Sequence, residues 1–114
     1  MPLKKIFEKI KKQEINELNV NNLLENNWKE QYSNQIFKTG NLVYIKLSVK
    51  NGTATKILTL PQDFRPSALL YLSAVDTGGS TGLGTIITVS ENGDLNCFDK
   101  NVGSLITVNA VFKV

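Results

Sequence analysis

The stretch Ile57–Tyr71, ILTLPQDFRPSALLY, sets two prolines five residues apart between two apolar runs. Pro61 restricts Leu60 to extended backbone and has no N–H to give to a ladder, so a strand that begins at Ile57 must stop there. Pro66 acts on Arg65 in the same way and delivers the chain to the second apolar run, Ala68–Val75. Phe64 is apolar inside this corner and is expected to plug the end of a core. Arg65 has two expected uses: a cap on nearby carbonyls or an ion pair with another subunit. The stretch reads as strand, corner, strand, with turn chemistry accounting for most of its residues.

The same grammar continues on both sides. Val43, Ile45, Leu47 and Val49 alternate with Tyr44, Lys46, Ser48 and Lys50, the period of a strand with one face in a core and one face wet. Gly40-Asn41 reads as a tight turn from Gln35–Thr39, so the two segments form a hairpin. Asn51-Gly52 closes the strand. Ile57–Leu60 and Ala68–Val75 are short and apolar, as expected of strands covered on both faces. Leu83, Thr85, Ile87 and Val89 alternate again. Asn92-Gly93 then predicts a type I′ turn, which needs φ > 0 at both central residues, with Leu95–Phe98 returning from it. Ile106, Val108, Ala110, Phe112 and Val114 keep strict period two. Seven or eight such strands predict a mainly β fold, an antiparallel sandwich or barrel, and of the two the antiparallel β-sandwich is the expectation taken forward.

The first residues are unlike the rest. Leu3, Ile6, Phe7 and Ile10 fall at i, i+3, i+4 and i+7 and predict a short amphipathic helix with lysines around its apolar stripe. Five lysines against Glu8 and Glu14 give residues 1–14 a net charge of +3, the charge of the whole 114-residue chain, so the remainder is neutral. A helix this short rarely holds alone in water. It is expected to dock on its own domain, on copies of itself or on a partner. The chain thus divides into residues 1–26, helix and connector for oligomerisation or docking, and residues 27–114, the β-domain. No apolar run is long enough to span a bilayer, and the start lacks a signal peptide's apolar core, so neither membrane insertion nor secretion by that route is expected.

Catalytic chemistry is poorly supplied. The sequence has no histidine, which removes the commonest general base and the commonest zinc ligand, and its single cysteine, Cys97, can form no intramolecular disulfide. Asp63, Asp76, Glu91, Asp94 and Asp99 all fall where turn chemistry explains them. No catalytic, metal or cofactor site is therefore expected. The glycine-rich run Thr77–Gly84 resembles a phosphate loop, but a β-pattern follows instead of a helix and no Lys-Ser/Thr completes it. It reads as a loop tip, with Thr77, Gly78, Gly79, Ser80 and Thr81 as candidate ligand or interface contacts. Tyr44 joins them: it lies on the polar face of its strand, facing either solvent or another subunit. Nucleic acid is not an expected partner, because the aromatics are not interleaved with Lys or Arg. Trp28, Tyr32, Tyr44 and Tyr71 offer an alternative reading as the sugar platform of a free-standing carbohydrate-binding module, set against the ordinary use of aromatics as buried strand residues.

The order of elements also carries a family resemblance. Leu23-Leu24-Glu25-Asn26-Asn27-Trp28 precedes a strand; Phe37-Lys38-Thr39-Gly40-Asn41-Leu42-Val43 follows; then come Leu58-Thr59-Leu60-Pro61-Gln62-Asp63-Phe64-Arg65-Pro66, Asn92-Gly93-Asp94-Leu95 and the last strand, to Val114. Over residues 23–114 this resembles the small β-sandwich domains of bacteriophage tail-fibre and baseplate proteins of receptor-binding type, with Leu-Pro-x-x-Phe-Arg-Pro as the most specific piece. The resemblance implies a non-enzymatic virion component of a phage or prophage. It would be made in the bacterial cytoplasm and be commonly a homotrimer. It would contact other tail proteins or a host cell-surface glycan. A short basic helix, in place of a fibre shaft, fits a small accessory tail or baseplate protein whose seam is Leu3, Ile6, Phe7 and Ile10.

Overall fold

The computed structural model describes residues 15–78 and 82–114. The helix expected around Leu3, Ile6, Phe7 and Ile10, and loop residues Gly79, Ser80 and Thr81, lie outside the described residues. The strands are β1 (Ile15–Leu18), β2 (Lys29–Glu30), β3 (Gln35–Thr39), β4 (Leu42–Lys50), β5 (Lys56–Thr59), β6 (Leu70–Asp76), β7 (Leu83–Val89), β8 (Asp94–Asn96) and β9 (Ile106–Lys113). A one-turn helix, α1 (Val20–Leu23), and two 3₁₀ turns, Gln62–Phe64 and Asp99–Asn101, complete the described elements.

All pairings are antiparallel and run along one path, β1-β3-β4-β9-β6-β7-β8-β5, with β2 also on β4. The fold is mainly β, as the alternation predicts. The strands form one continuous sheet curled into a half-barrel, not two separate sheets of a sandwich. The join between its halves is narrow: β6 and β9 share the pairs Ala74–Val108, Val75–Thr107 and Asp76–Ile106, and no more. Each strand otherwise pairs with its other neighbour, over eight residue pairs for β4–β9 and seven for β6–β7.

The inner face is apolar and closed. Val43, Ile45, Leu47 and Val49 of β4 meet Ile106, Val108 and Phe112 of β9 and Ile87 and Val89 of β7, all buried. In β5 both Ile57 and Leu58 are fully buried, because a register shift between Lys56 and Leu58 turns consecutive side chains inward. Strand β6 departs from expectation. Leu72 and Ala74 point inward and Leu70 packs partly against the core, whereas Tyr71 is 65% exposed and Val75 42%, so the strand is covered on one face. Residues Ile15–Glu25, read as connector, join the domain. β1 pairs with β3, Val20 is buried, and Leu18, Leu23 and Leu24 pack on the core.

The Pro61–Pro66 corner forms as its sequence implies. Gln62–Phe64 is a 3₁₀ turn and Phe64 is buried at the end of the core. Arg65 donates from Nε to the Leu60 carbonyl at 2.9 Å, the carbonyl cap that was one of its two expected uses. The Leu60 N–H donates to the Gly93 carbonyl at 2.9 Å, tying the corner to the β7–β8 turn. That turn is not type I′. Only Gly93 has positive φ, at 85°, and the Gly93 N–H donates to the Ser90 carbonyl at 2.9 Å. The Ser90 N–H donates to the Asp94 carbonyl at 3.0 Å. This is the three-residue hairpin loop, a type I turn closed by a glycine bulge.

Trp28 is 3% exposed, so it belongs to the core and cannot serve as the sugar platform weighed above. Its Nε1 donates to the Ala54 carbonyl at 2.9 Å, satisfying the indole N–H. Gly52 lies flat against the ring: a β-carbon there would sit 1.8 Å from Trp28 Cε2. Gly52→Ala must therefore displace the indole and is expected to cost about 3 kcal/mol, at the upper end for an overpacked core. Gly40→Ala, where no atom lies within 4 Å but φ is +59°, is expected to cost only about 1 kcal/mol. Urea midpoints of the two variants, compared with the parent chain, check the ranking.

Candidate functional site

The outer face of the β3–β4–β9 sheet carries the arrangement with the most chemical capacity. Gly40 takes φ +59° at the first position of the two-residue loop, so Thr39 pairs with Leu42 and Phe37 falls opposite Tyr44. The β4–β9 register then sets Tyr44 beside Val111 and Lys46 beside Asn109, while β3 sets Gln35 beside Lys46. Strand alternation turns all six outward, in two adjacent cross-strand rows. One row, Phe37–Tyr44–Val111, is apolar. The other, Gln35–Lys46–Asn109, is polar.

Between the rows lies a depression of about 380 Å³. The Phe37 and Tyr44 rings are stacked, with centroids 4.7 Å apart and planes 8° from parallel, which fixes each ring against the other. Tyr44 is 36% exposed and Val111 52%. Gln35 donates from Nε2 to Glu17 Oε1 at 3.2 Å, so β1 steadies the rim. Of the described residues proposed from sequence, Tyr44 alone lies here. Its outward orientation agrees with its place on the polar face of the strand.

Thr77 and Gly78 lie elsewhere. Asp76, just before them, is level with Ile106 and hence with Val49, five residues along β4 from Tyr44, about 17 Å at strand spacing. The Thr77 N–H donates to the Leu105 carbonyl at 2.8 Å, and the Gly78 N–H to Asp76 Oδ1 at 2.9 Å. Both residues are exposed. Beside them a second depression of about 310 Å³ is lined by Asp76, Leu83, Gly84, Thr85, Lys100 and Asn101. Asn101, 3% exposed, donates to Asp76 Oδ2 at 2.6 Å and accepts from Thr85 Oγ1 at 2.9 Å. Both carboxylate oxygens of Asp76 are thus held by protein donors, which makes this a loop clamp with its polar groups already occupied. Burial pushes the Asp76 carboxyl up, but the Asn101 amide, the Gly78 N–H, the Ser104 side chain and the Lys100 charge outweigh it and hold the group below its ordinary 3.8. Burial pushes the Cys97 thiol up to about 11, so it is not a nucleophile at neutral pH. Among the described residues no cluster of His, Cys, Asp and Glu is arranged to hold a metal ion.

No protein-family model and no curated protein matches the chain in sequence. A solved structure does match in three dimensions. The fold is that of a phage receptor binding protein. The chain is similar to the receptor binding protein (gp15) of Listeria phage PSA, with a TM-score of 0.67 over 97% of this chain and 72% of that one, at 22% sequence identity. The resemblance drawn from Leu58–Pro66 and the turns around it therefore holds at the level of fold.

Sequence reasoning missed Phe37, Gln35, Lys46, Asn109 and Val111. The hairpin signal at Gly40-Asn41 already implied the Phe37–Tyr44 pair, since a two-residue loop sets the register. The β9 contributions were beyond reach, because Val111 meets Tyr44 only through a long-range pairing. The Asp76 clamp yields a pH prediction. A carboxyl that titrates lower folded than unfolded stabilises the fold above pH 3.8, and this contribution is lost as pH falls through the folded value. Asp76→Asn should lower stability at pH 7 by about 1.5 kcal/mol, the lower end for hydrogen bonds to a charged group because the site is partly exposed, and should flatten the acid limb. Urea unfolding of both proteins between pH 7 and pH 3 checks the size and the slope.

Proposed function

We propose that the chain is a non-enzymatic structural protein of a bacteriophage or prophage tail, located in the virion, which works as a homotrimer in tail assembly or host-surface attachment. The observation that carries this reading is the fold shared over 97% of the chain with a phage receptor binding protein. The chemistry supports it: the sequence has no histidine, and its one cysteine is buried. Among the described residues no helix is long and apolar enough to cross a membrane. In this reading the apolar stripe Leu3, Ile6, Phe7 and Ile10 docks against other copies or a neighbouring tail protein, and its lysines favour an acidic partner surface.

A second reading, a free-standing carbohydrate-binding module, draws on the outward-facing Phe37–Tyr44 pair, of which Tyr44 is exposed and Phe37 half-buried. The two differ in where the protein resides and in its assembly.

Immunogold labelling of virions from the source of this gene is expected to decorate the tail. Capsid labelling or unlabelled particles would overturn the tail reading. Light scattering at micromolar concentration is expected to give three chain masses, and a monomer would remove the trimer. Deleting residues 1–14 should weaken assembly while the β-domain stays folded; unchanged assembly would assign the contacts to the β-domain.

A further inference from the structure

We propose that Asn51-Gly52 is a site of spontaneous covalent modification, where the folded chain converts Asn51 to aspartate and isoaspartate, and that the fold shields the other Asn-Gly pair, Asn92-Gly93, from the same reaction. The backbone nitrogen that follows an asparagine can attack the side-chain carbonyl carbon, Cγ. A C–N bond forms, the side-chain amide leaves as ammonia, and a five-membered succinimide joins the two residues. Water then opens the ring. Attack at one carbonyl gives aspartate; attack at the other gives isoaspartate, whose main chain runs through Cβ and Cγ. The balance is asparagine plus water to an aspartyl residue plus ammonia, with no oxidant or reductant. Glycine in second place favours the step, because it has no Cβ to obstruct the approach.

The two pairs share this chemistry but not their surroundings. At Asn92-Gly93 the nucleophile is committed. The Gly93 N–H donates to the Ser90 carbonyl at 2.9 Å, and the Gly93 carbonyl accepts from the Leu60 N–H at 2.9 Å. The Leu60 carbonyl lies only 2.5 Å from where a β-carbon on Gly93 would sit, so the residue has no room to turn. A succinimide there removes the N–H and breaks the hairpin loop together with its tie to the corner. At Asn51-Gly52 the Gly52 nitrogen makes no hydrogen bond among the described residues, so its use breaks none. Asn51 lies just beyond the end of β4, is exposed, and its side chain makes no hydrogen bond among the described residues. Trp28 covers the α-carbon of Gly52 but donates to Ala54, leaving the Gly52 nitrogen free of it.

The two products act differently on the fold. Aspartate places a carboxylate next to Lys50, which stands directly opposite Lys29 in the β2–β4 ladder. Neither lysine has an ion pair among the described residues, and like charges set opposite each other repel, so the new charge is well received. Isoaspartate instead lengthens the main chain by one carbon immediately before Gly52. The Trp28 ring leaves no space at Gly52 for a methyl group, so the added carbon must displace the indole or lift the loop away from it. Isoaspartate therefore loosens the Trp28 anchor, and aspartate does not.

The test incubates the full chain at pH 8 and 37 °C for several weeks, folded and in 6 M guanidinium chloride, and maps both sites by mass spectrometry. Trypsin isolates Asn51–Lys56 by cutting after Lys50 and Lys56, and isoaspartate is identified by enzymatic methyl transfer to its free carboxylate. In the folded chain Asn51 is expected to convert at least fivefold faster than Asn92. In denaturant the two rates are expected to agree within twofold, since the fold makes the difference. The inference is overturned if the folded rates are equal, if Asn92 leads, if the difference persists in denaturant, or if folded Asn51 stays intact while the denatured chain converts. Asn51→Asp is expected to keep the urea midpoint of the parent. The isoaspartyl fraction is expected to unfold at lower urea, with shifted fluorescence from Trp28, the chain's one tryptophan. Equal midpoints for the two would overturn the link to the Trp28 anchor.

Discussion

The ladder between β4 and β9 is the constraint on which the rest depends. Eight consecutive pairs, from Leu42–Lys113 to Val49–Ile106, lock two strands of strict period two in one register. That register sends Val43, Ile45, Leu47 and Val49 inward with Val108 and Phe112, and sends Tyr44 and Lys46 outward with Val111 and Asn109. A slip of one residue would reverse every side chain and put lysines in the core. β3 and β2 build on the free side of β4, and β6 on the far side of β9. The core and the outer face are thus two consequences of one alignment.

Two anchors secure the ends of this frame. At one, the Pro61–Pro66 corner, Leu60 gives its N–H to Gly93 and its carbonyl receives Arg65. A β-carbon on Gly93 would lie 2.5 Å from that carbonyl, so the close approach requires glycine as well as the left-handed φ. At the other, Trp28 lies over Gly52 and donates to Ala54, while the Thr53 N–H donates to the Asn26 carbonyl at 2.8 Å. Each anchor satisfies buried backbone groups that would otherwise cost about 1–3 kcal/mol apiece. The Lys56 bridges to Glu25 and Asp94, at 3.5 and 3.4 Å, are half exposed and add little beside them.

The residues that make the fold and those that line the outer depression occupy different faces. Phe64, Arg65, Trp28 and the inner positions of β4 and β9 have their side chains committed to packing or caps. The outer positions of the same strands are free of that demand, and there the Phe37–Tyr44 pair stands beside Gln35, Lys46 and Asn109. A shared fold can therefore host different contacts on its outer face without disturbing the core.

How much was legible in the sequence follows from the range of each interaction. Val43–Val49 and Ile106–Phe112 declared themselves by alternation, and Pro61, Pro66 and Gly40-Asn41 by backbone chemistry that acts over a few residues. β1 did not: Ile-Asn-Glu-Leu has weak strand character and is a strand because β3 offers it an edge. Asn92-Gly93 marked a hairpin, yet the partner strand and the Leu60 contact selected a three-residue loop over type I′. Ala68–Val75 reads as covered on both faces because apolar content counts residues and not neighbours, and the curled sheet leaves the outer side of Tyr71 and Val75 open. The sequence by itself determined the class of fold, the corner and most strands, since period and turn chemistry are local. Only the tertiary structure decided that Trp28 is buried, that Asp76 is clamped by Asn101, and that Val111 and Asn109 stand beside Tyr44 and Lys46. Those contacts join residues 20 or more positions apart, and long-range register, not local propensity, brings them together.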